Sequence, residues 1–349
     1  MNKLKLSLSI AFLLSVFNAG ALNIDSTSVI GKIMQRVTFT GYAQLGWEYH
    51  DNSSPSNEFL INKLVFITNV KVTKKMDAFL MFDFKGFTLH ELWMSYAVFP
   101  ELKFKVGQFK TPFSIENPIS PSIMGLITQT SLVTTDMICG GSPLMMPGGA
   151  GRDLGITMFG EFLRGRISYD VAVMSGAGRN KRDNNSQKDF VARIGVMPLE
   201  TLKLSGSMIL GTGNTAVEKI GGEYVSVDVP ALTGIKANGN FSRRRFAAGA
   251  ELKTAPLDVR GEWMWGKDCS LKSNGCYITA TAKNVLTRGL ELIASYDHLD
   301  NYRGIQNRYS AGIQYWFLKK CRIQAGYYHN KWTAGPKENA FLTQLQLAF

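Results

Sequence analysis

From about residue 37 to the last residue, the chain alternates between apolar and polar side chains with a period of two. The final stretch is the clearest case. Phe341, Leu345, Leu347 and the terminal Phe349 share one parity, and Gln344, Gln346 and Ala348 share the other. A segment of about ten residues with one greasy and one wet face fits a strand crossing a bilayer in a barrel. It also fits an edge strand of a soluble β-sandwich. After the N-terminus no apolar run reaches the ~18 residues that a membrane-crossing helix needs. Lipid offers backbone groups no partners outside helices and closed sheets. A membrane reading is therefore an all-β reading, a transmembrane antiparallel β-barrel. A sandwich would not explain apolar faces on nearly every strand with polar residues behind them.

The period-two segments can be followed in order. Val37, Phe39, Ala43, Leu45 and Trp47 alternate with Thr38, Thr40, Gln44 and Glu48. Further strands are expected near 58–72, 76–85, 87–99 and 102–110. A long irregular stretch over about 111–150 follows, with Pro112, Pro118, Pro121, Pro143 and Pro147 and several methionines. A segment this long and apolar without regular structure is best placed inside the bore, where it narrows it. Strands resume at about 152 and continue to 349, giving sixteen in all. Short connections, such as those at 100–101, 164–165 and 255–256, alternate with longer ones, the expected asymmetry between the two rims of a barrel. An even count returns both ends to one side. Trp47, Trp93, Trp263, Trp265, Tyr315 and Trp316 fall near strand ends, as interfacial girdles require.

Residues 1–21 read as a secretory leader, with Lys3 and Lys5 at the start, an apolar stretch from Leu6 to Phe17 and a small-residue cleavage site at Ala19-Gly20-Ala21. No cysteine follows the apolar run, so the lipoprotein form is not expected. Residues 22–36 read as a polar lead and 37–349 as the barrel. Cys269 and Cys276 bracket a loop of a size that a disulfide can close. Their spacing is no argument for a metal. The formal charge of +12 suggests anionic partners, either lipid headgroups and lipopolysaccharide or small anionic solutes. No zinc-finger spacing, Walker loop or basic helix points to nucleic acid.

At Val106-Gly107-Gln108-Phe109-Lys110-Thr111-Pro112-Phe113-Ser114-Ile115-Glu116 the chain resembles the phosphate-selective porin O/P family, whose members carry such a stretch just before a constricting loop. Gly151-Arg152-Asp153-Leu154-Gly155, the stretch Leu290 to Asp297 and the closing Gln346 to Phe349 are similar in order along the chain. Ser295 stands where relatives tend to carry Arg. The closing aromatic also looks like the signal by which Gram-negative outer-membrane barrels are recognised for insertion. The resemblance implies a sixteen-stranded, homotrimeric, anion-preferring porin of that membrane with the third loop folded inward. It does not establish phosphate as the solute, and the family's ladder of arginines and lysines cannot be placed here residue by residue.

Parity nominates Lys103, Lys105, Arg166, Arg193, Lys203, Arg243, Arg245, Arg260, Arg308 and Arg322 as lumen-facing cations. Lys110 and Arg152 are candidates for the constriction. Parity also nominates Glu48, Asp83, Glu91, Asp170, Glu251, Glu262, Glu291 and Asp297 as inward anions. Arg or Lys on the lipid face near the midplane would cost about 2–4 kcal/mol, which favours inward placement. Pairing across the wall is the expected fate of most of them, with rings of Arg and Lys at a narrow point biasing the pore toward anions. His50, His90, His298 and His329 fall near outward strand ends, but no nucleophile comes with its own base, so catalysis, cofactors and metals are not expected. The function expected is passive diffusion of small hydrophilic solutes. The alternative is a non-conducting barrel that serves as a scaffold or subunit of a larger outer-membrane complex, its bore plugged by 111–150.

Overall fold

The computed structural model describes residues 35–128, 130–139, 150–220, 223–226 and 239–349. The leader expected over 1–21 lies outside these residues, as does nearly all of the polar lead. Nine strands lead into the first half of the wall: β1 (Val37–His50), β2 (Asn57–Lys71), β3 (Met76–Asp83), β4 (Thr88–Phe99), β5 (Leu102–Lys110), β6 (Arg152–Phe162), β7 (Ile167–Met174), β8 (Asp189–Leu199) and β9 (Leu202–Asn214). A small hairpin of β10 (Ala216–Ile220) and β11 (Glu223–Ser226) stands apart from the wall. The wall continues through β12 (Asn240–Lys253), β13 (Leu257–Asp268), β14 (Leu271–Ala282), β15 (Leu290–Asn301), β16 (Gly304–Leu318), β17 (Cys321–Trp332) and β18 (Glu338–Ala348). Each strand pairs antiparallel with its neighbours, and the sheet closes as a sixteen-stranded barrel.

Closure is made by the two ends of the wall. β1 and β18 run in register from Tyr42 opposite Ala348 to His50 opposite Ala340. Phe349 extends the ladder, its backbone N–H donating to the Gly41 carbonyl at 3.1 Å and its carbonyl accepting from Gly41 N–H at 3.3 Å. The terminal aromatic thus completes the seam.

Side chains sort between two media along each strand. On β4, Leu92, Met94 and Tyr96 are about half exposed on the outside, while Glu91, Trp93 and Ser95 turn inward. On β16, Tyr309, Ile313 and Tyr315 face out, and Arg308, Ser310 and Gln314 are buried inside. Two aromatics expected in the girdle are in the lumen instead. Trp93 stacks on Phe79 at 4.9 Å, and Trp316 lies under the Arg322 guanidinium at 4.7 Å. Proximity to a strand end sets depth, but parity sets face.

Cys269 and Cys276 are not joined by a disulfide. The segment between them is not a loop. Asp268 pairs with Leu271 across a tight turn and Trp263 pairs with Cys276. Five rungs of ladder, roughly 17 Å, separate Cys276 from the turn that holds Cys269.

Within the Val106–Phe109 motif, Gly107 has φ +134°, and a Cβ there would lie 2.2 Å from the Leu92 carbonyl oxygen. Gly107→Ala is therefore expected to lower barrel stability by about 1–3 kcal/mol. The check is the urea midpoint of tryptophan fluorescence after refolding into lipid.

Candidate functional site

The third loop, between β5 and β6, lies inside the barrel and is tied to the wall along its described length. At its base, Asn117 Nδ2 donates to the carbonyls of Thr111 (2.8 Å) and Gly151 (3.0 Å). Residues 113–116 reach the opposite wall. Ser114 N–H donates to Ser207 Oγ at 2.9 Å, and the Ser114 hydroxyl and Ile115 N–H donate to the Glu262 carboxylate at 2.6 and 3.0 Å. The chain then crosses to β16–β18. Arg322 and Gln324 donate to the carbonyls of Met124 and Gly125 at 2.8 Å, and Gln346 to that of Ser122 at 3.0 Å. The Tyr328 hydroxyl accepts from Ile127 N–H at 2.9 Å. A helical turn at Leu132–Thr134, continued by a wider turn over Thr135–Cys139, follows the inner wall of β13–β15. Phe113, Val133, Met137 and Ile138 are fully buried there against Val191, Ile209, Met264 and Tyr277. An apolar patch inside a wet lumen is what seats this loop.

Among the described residues, two chambers of similar size border the loop. One, of about 320 Å³, opens toward the long-loop rim and is lined by Tyr42, Lys63, Asp83, His90, Lys110, Arg152 and Arg179 among others. The second, of about 310 Å³, lies toward the short-turn rim against β12–β16. Met124 and Thr130 line both.

The chambers differ in charge. In the second, carboxylates and cations pair: Glu251 with Lys253 (3.3 Å), Asp258 with Lys283 (2.5 Å), Glu116 with Arg260 (3.6 Å) and Asp297 with Arg308 (2.9 Å). Glu291 accepts from Gln314. The first is lined by four cations and by Asp83, the one carboxylate among its described lining residues, with Glu91 behind Arg152. Lys63 Nζ is 3.9 Å from Asp83, and His90 Nε2 sits 3.6 Å from Asp83 and 3.4 Å from Arg179. Arg179, in the loop between β7 and β8, has its pKa pushed down by burial and then by the Arg152 guanidinium. A guanidinium keeps its charge under such pressure.

The nominated residues separate into groups. Lys110 donates to the Ile119 carbonyl at 2.6 Å, and Arg152 pairs with Glu91 at 3.2 Å, both at the first chamber. Arg260 and Arg308 line the second, where Arg308 also donates to the Thr130 carbonyl. Arg322 is buried and holds the loop. Arg243 and Arg245 are buried and paired with Asp189 and Asp268, so they line neither chamber. Arg193 pairs with Asp170 at 2.9 Å. Lys105 Nζ sits within 4.9–5.1 Å of the Trp93, Phe159 and Phe109 ring centres. Lys103 and Lys203 are half-buried on the inner face of their strands. Arg166 is not in the lumen. It is an exposed residue of the β6–β7 turn, because the strand begins one residue later.

Sequence reasoning missed Lys63, His90 and Arg179 as partners of Lys110 and Arg152. Lys63 adjoins a bulge, where Gln44 pairs with Lys63 but Leu45 pairs with Ile61, so parity slips. Arg179 lies in a loop, where no period applies. Asp297 and His298, adjacent in sequence, point to opposite faces, Asp297 to Arg308 and His298 to Asn307 at 2.9 Å.

No protein-family model matches the chain, and no characterised protein matches it by sequence. Solved structures do match. In vitro folded OmpT, an outer membrane protein of Vibrio cholerae, aligns with a TM-score of 0.64 at 11% identity, covering 90% of this chain and 97% of that one. This chain has the porin fold. The outer membrane channel DcaP of Acinetobacter baumannii aligns at 0.60 and 13% identity, over 90% and 97% of the two chains. The anion-selective porin from Comamonas acidovorans aligns at 0.62 and 11%, over 90% and 99%. At such identities the likeness is one of architecture.

The barrel interior carries ion pairs of unequal burial. The Arg243–Asp189 side chains are 2% and 0% exposed, and those of Arg193–Asp170 are 27% and 19%. Asp189→Asn leaves a buried guanidinium without its counter-charge and is expected to cost about 3–5 kcal/mol. Asp170→Asn, where water screens the partner, is expected to cost about 1 kcal/mol or less. Urea unfolding of the two variants in lipid vesicles compares them.

Proposed function

We propose that the protein is a passive diffusion porin of the Gram-negative outer membrane with a preference for small anions. The observation that carries this reading is the chamber at the long-loop rim, where Lys63, Lys110, Arg152 and Arg179 outnumber Asp83 and the Glu91 carboxylate behind Arg152. A low-dielectric wall bearing fixed cations concentrates anions and repels cations. The solute enters along the β1–β6 wall, passes Met124 and Thr130, and leaves along β12–β16 through a chamber whose charges are largely paired. No bond is made or broken on the way. The resemblance to the phosphate-selective porin O/P family makes phosphate one of the anions to offer. On this reading, export follows a leader cleaved after Ala21, the barrel assembles as a homotrimer, and its outer belt meets phospholipid and lipopolysaccharide.

The test is planar-bilayer recording in a potassium chloride gradient. The expected result is stable open channels with a reversal potential on the chloride side. Lys63→Glu with Arg179→Glu is expected to lower the chloride-to-potassium permeability ratio by about tenfold, since each exchange replaces an attracting charge with a repelling one. Cation preference in the unaltered protein would refute the anion claim. Complete absence of channels would return the scaffold reading.

A further inference from the structure

The outer surface of the barrel carries a charge arrangement that the pore does not use. Near the long-loop rim, Arg244 on β12 stands directly opposite Lys267 on β13, and Lys267 directly opposite Lys272 on β14. All three point away from the lumen. Arg244 lies between the buried Arg243 and Arg245, and Lys267 between Gly266, which abuts Met137 of the inner loop, and Asp268, which pairs inside with Arg245. Arg244 and Lys272 are exposed and Lys267 is half-buried. Like charges directly opposite on neighbouring strands repel. Among the described residues no ion pair takes up any of the three. The outward carboxylate on the next strand, Asp300, faces Asn274 two rungs lower, diagonal to Lys272. Such a row attracts a counter-anion from outside the chain.

The depth of the row indicates the source of that anion. On the same outward face, two residues lower, lie Phe246 and Trp265, with ring centres 5.9 Å apart, and then Trp263, which is 49% exposed. Below them the surface is apolar, with Leu252, Leu257 and Ile278 exposed. Aromatic belts sit at the level of lipid headgroups. From Arg244 down to Leu252 the strand covers about 26 Å, or roughly 20 Å along the membrane normal after strand tilt, most of the ~25 Å apolar height of such barrels. Cations immediately above the belt are therefore at the depth of headgroup phosphates.

We propose that Arg244, Lys267 and Lys272 form a binding site for the phosphate groups of a phosphorylated glycolipid in the outer leaflet. This rests on the porin reading for which rim faces outward. Three cations on adjacent strands, one strand spacing apart, match a ligand with more than one phosphate better than they match a single-phosphate lipid.

The experiment uses the full-length chain in detergent and native mass spectrometry with a bis-phosphorylated, acylated diglucosamine, its phosphatase-treated form and phosphatidylethanolamine. The unaltered protein is expected to hold the bis-phosphorylated lipid, and the other two weakly. The R244Q/K267Q/K272Q variant is expected to bind it about a hundred-fold less tightly. Should the triple variant not fold, K272Q alone, beside the β13–β14 turn, is expected to give about a fivefold loss. Equal binding by the variants, or equal binding of the phosphate-free lipid, overturns the proposal. So does a change of oligomeric state with lipid affinity intact, which would make the row a contact with a second copy. Conductance in phosphatidylcholine bilayers separates the two readings. Lipid binding without channels sinks only the channel, and channels without lipid binding sink only this site.

Discussion

Every peptide group in a lipid-facing wall must find its hydrogen-bond partner in another strand, because the hydrocarbon offers none. The seam between β1 and β18 is where that requirement is met last. Until Tyr42 through His50 align with Ala348 through Ala340, two strand edges remain open. The terminal Phe349 continues the ladder to Gly41. Closing the edge forces all sixteen strands into one register, and register decides which side chains face lipid and which face water.

With the wall closed, the interior becomes a confined space crowded with charge. Its cations meet three fates. Some are buried in pairs, as Arg243 with Asp189. Some hold the third loop through its carbonyls, as Arg322 does at Met124. Some remain at the edge of the first chamber, as Lys63 and Arg179 do. The same loop is seated by apolar contact at Val133, Met137 and Ile138, and by donors and acceptors elsewhere. A lumen that binds its loop through both kinds of contact holds it in one place, and the two chambers follow from that place.

Much of the barrel was legible beforehand. Strand number followed from a period of two, and the inward third loop from the length and apolar character of residues 111–150. Legibility failed where the period breaks. The bulge beside Lys63 shifts parity, the β7–β8 loop that carries Arg179 has none, and the polar run between Cys269 and Cys276 reads as a loop although it continues the wall. Trp93 and Trp316 mark a second kind of failure. An aromatic near a strand end suits a girdle by its depth and a lumen by its face, and only the register distinguishes them.

The amino-acid sequence by itself determined that the chain closes into a barrel, because alternation is a local property, legible one strand at a time, and lipid admits no other use for it. Which cations pair, which hold the loop and which meet at one chamber was decided only by the tertiary structure. Lys63, Arg152 and Arg179 come from β2, β6 and a loop far apart in sequence, and their distances depend on the curvature of a closed wall. That curvature belongs to all the strands together.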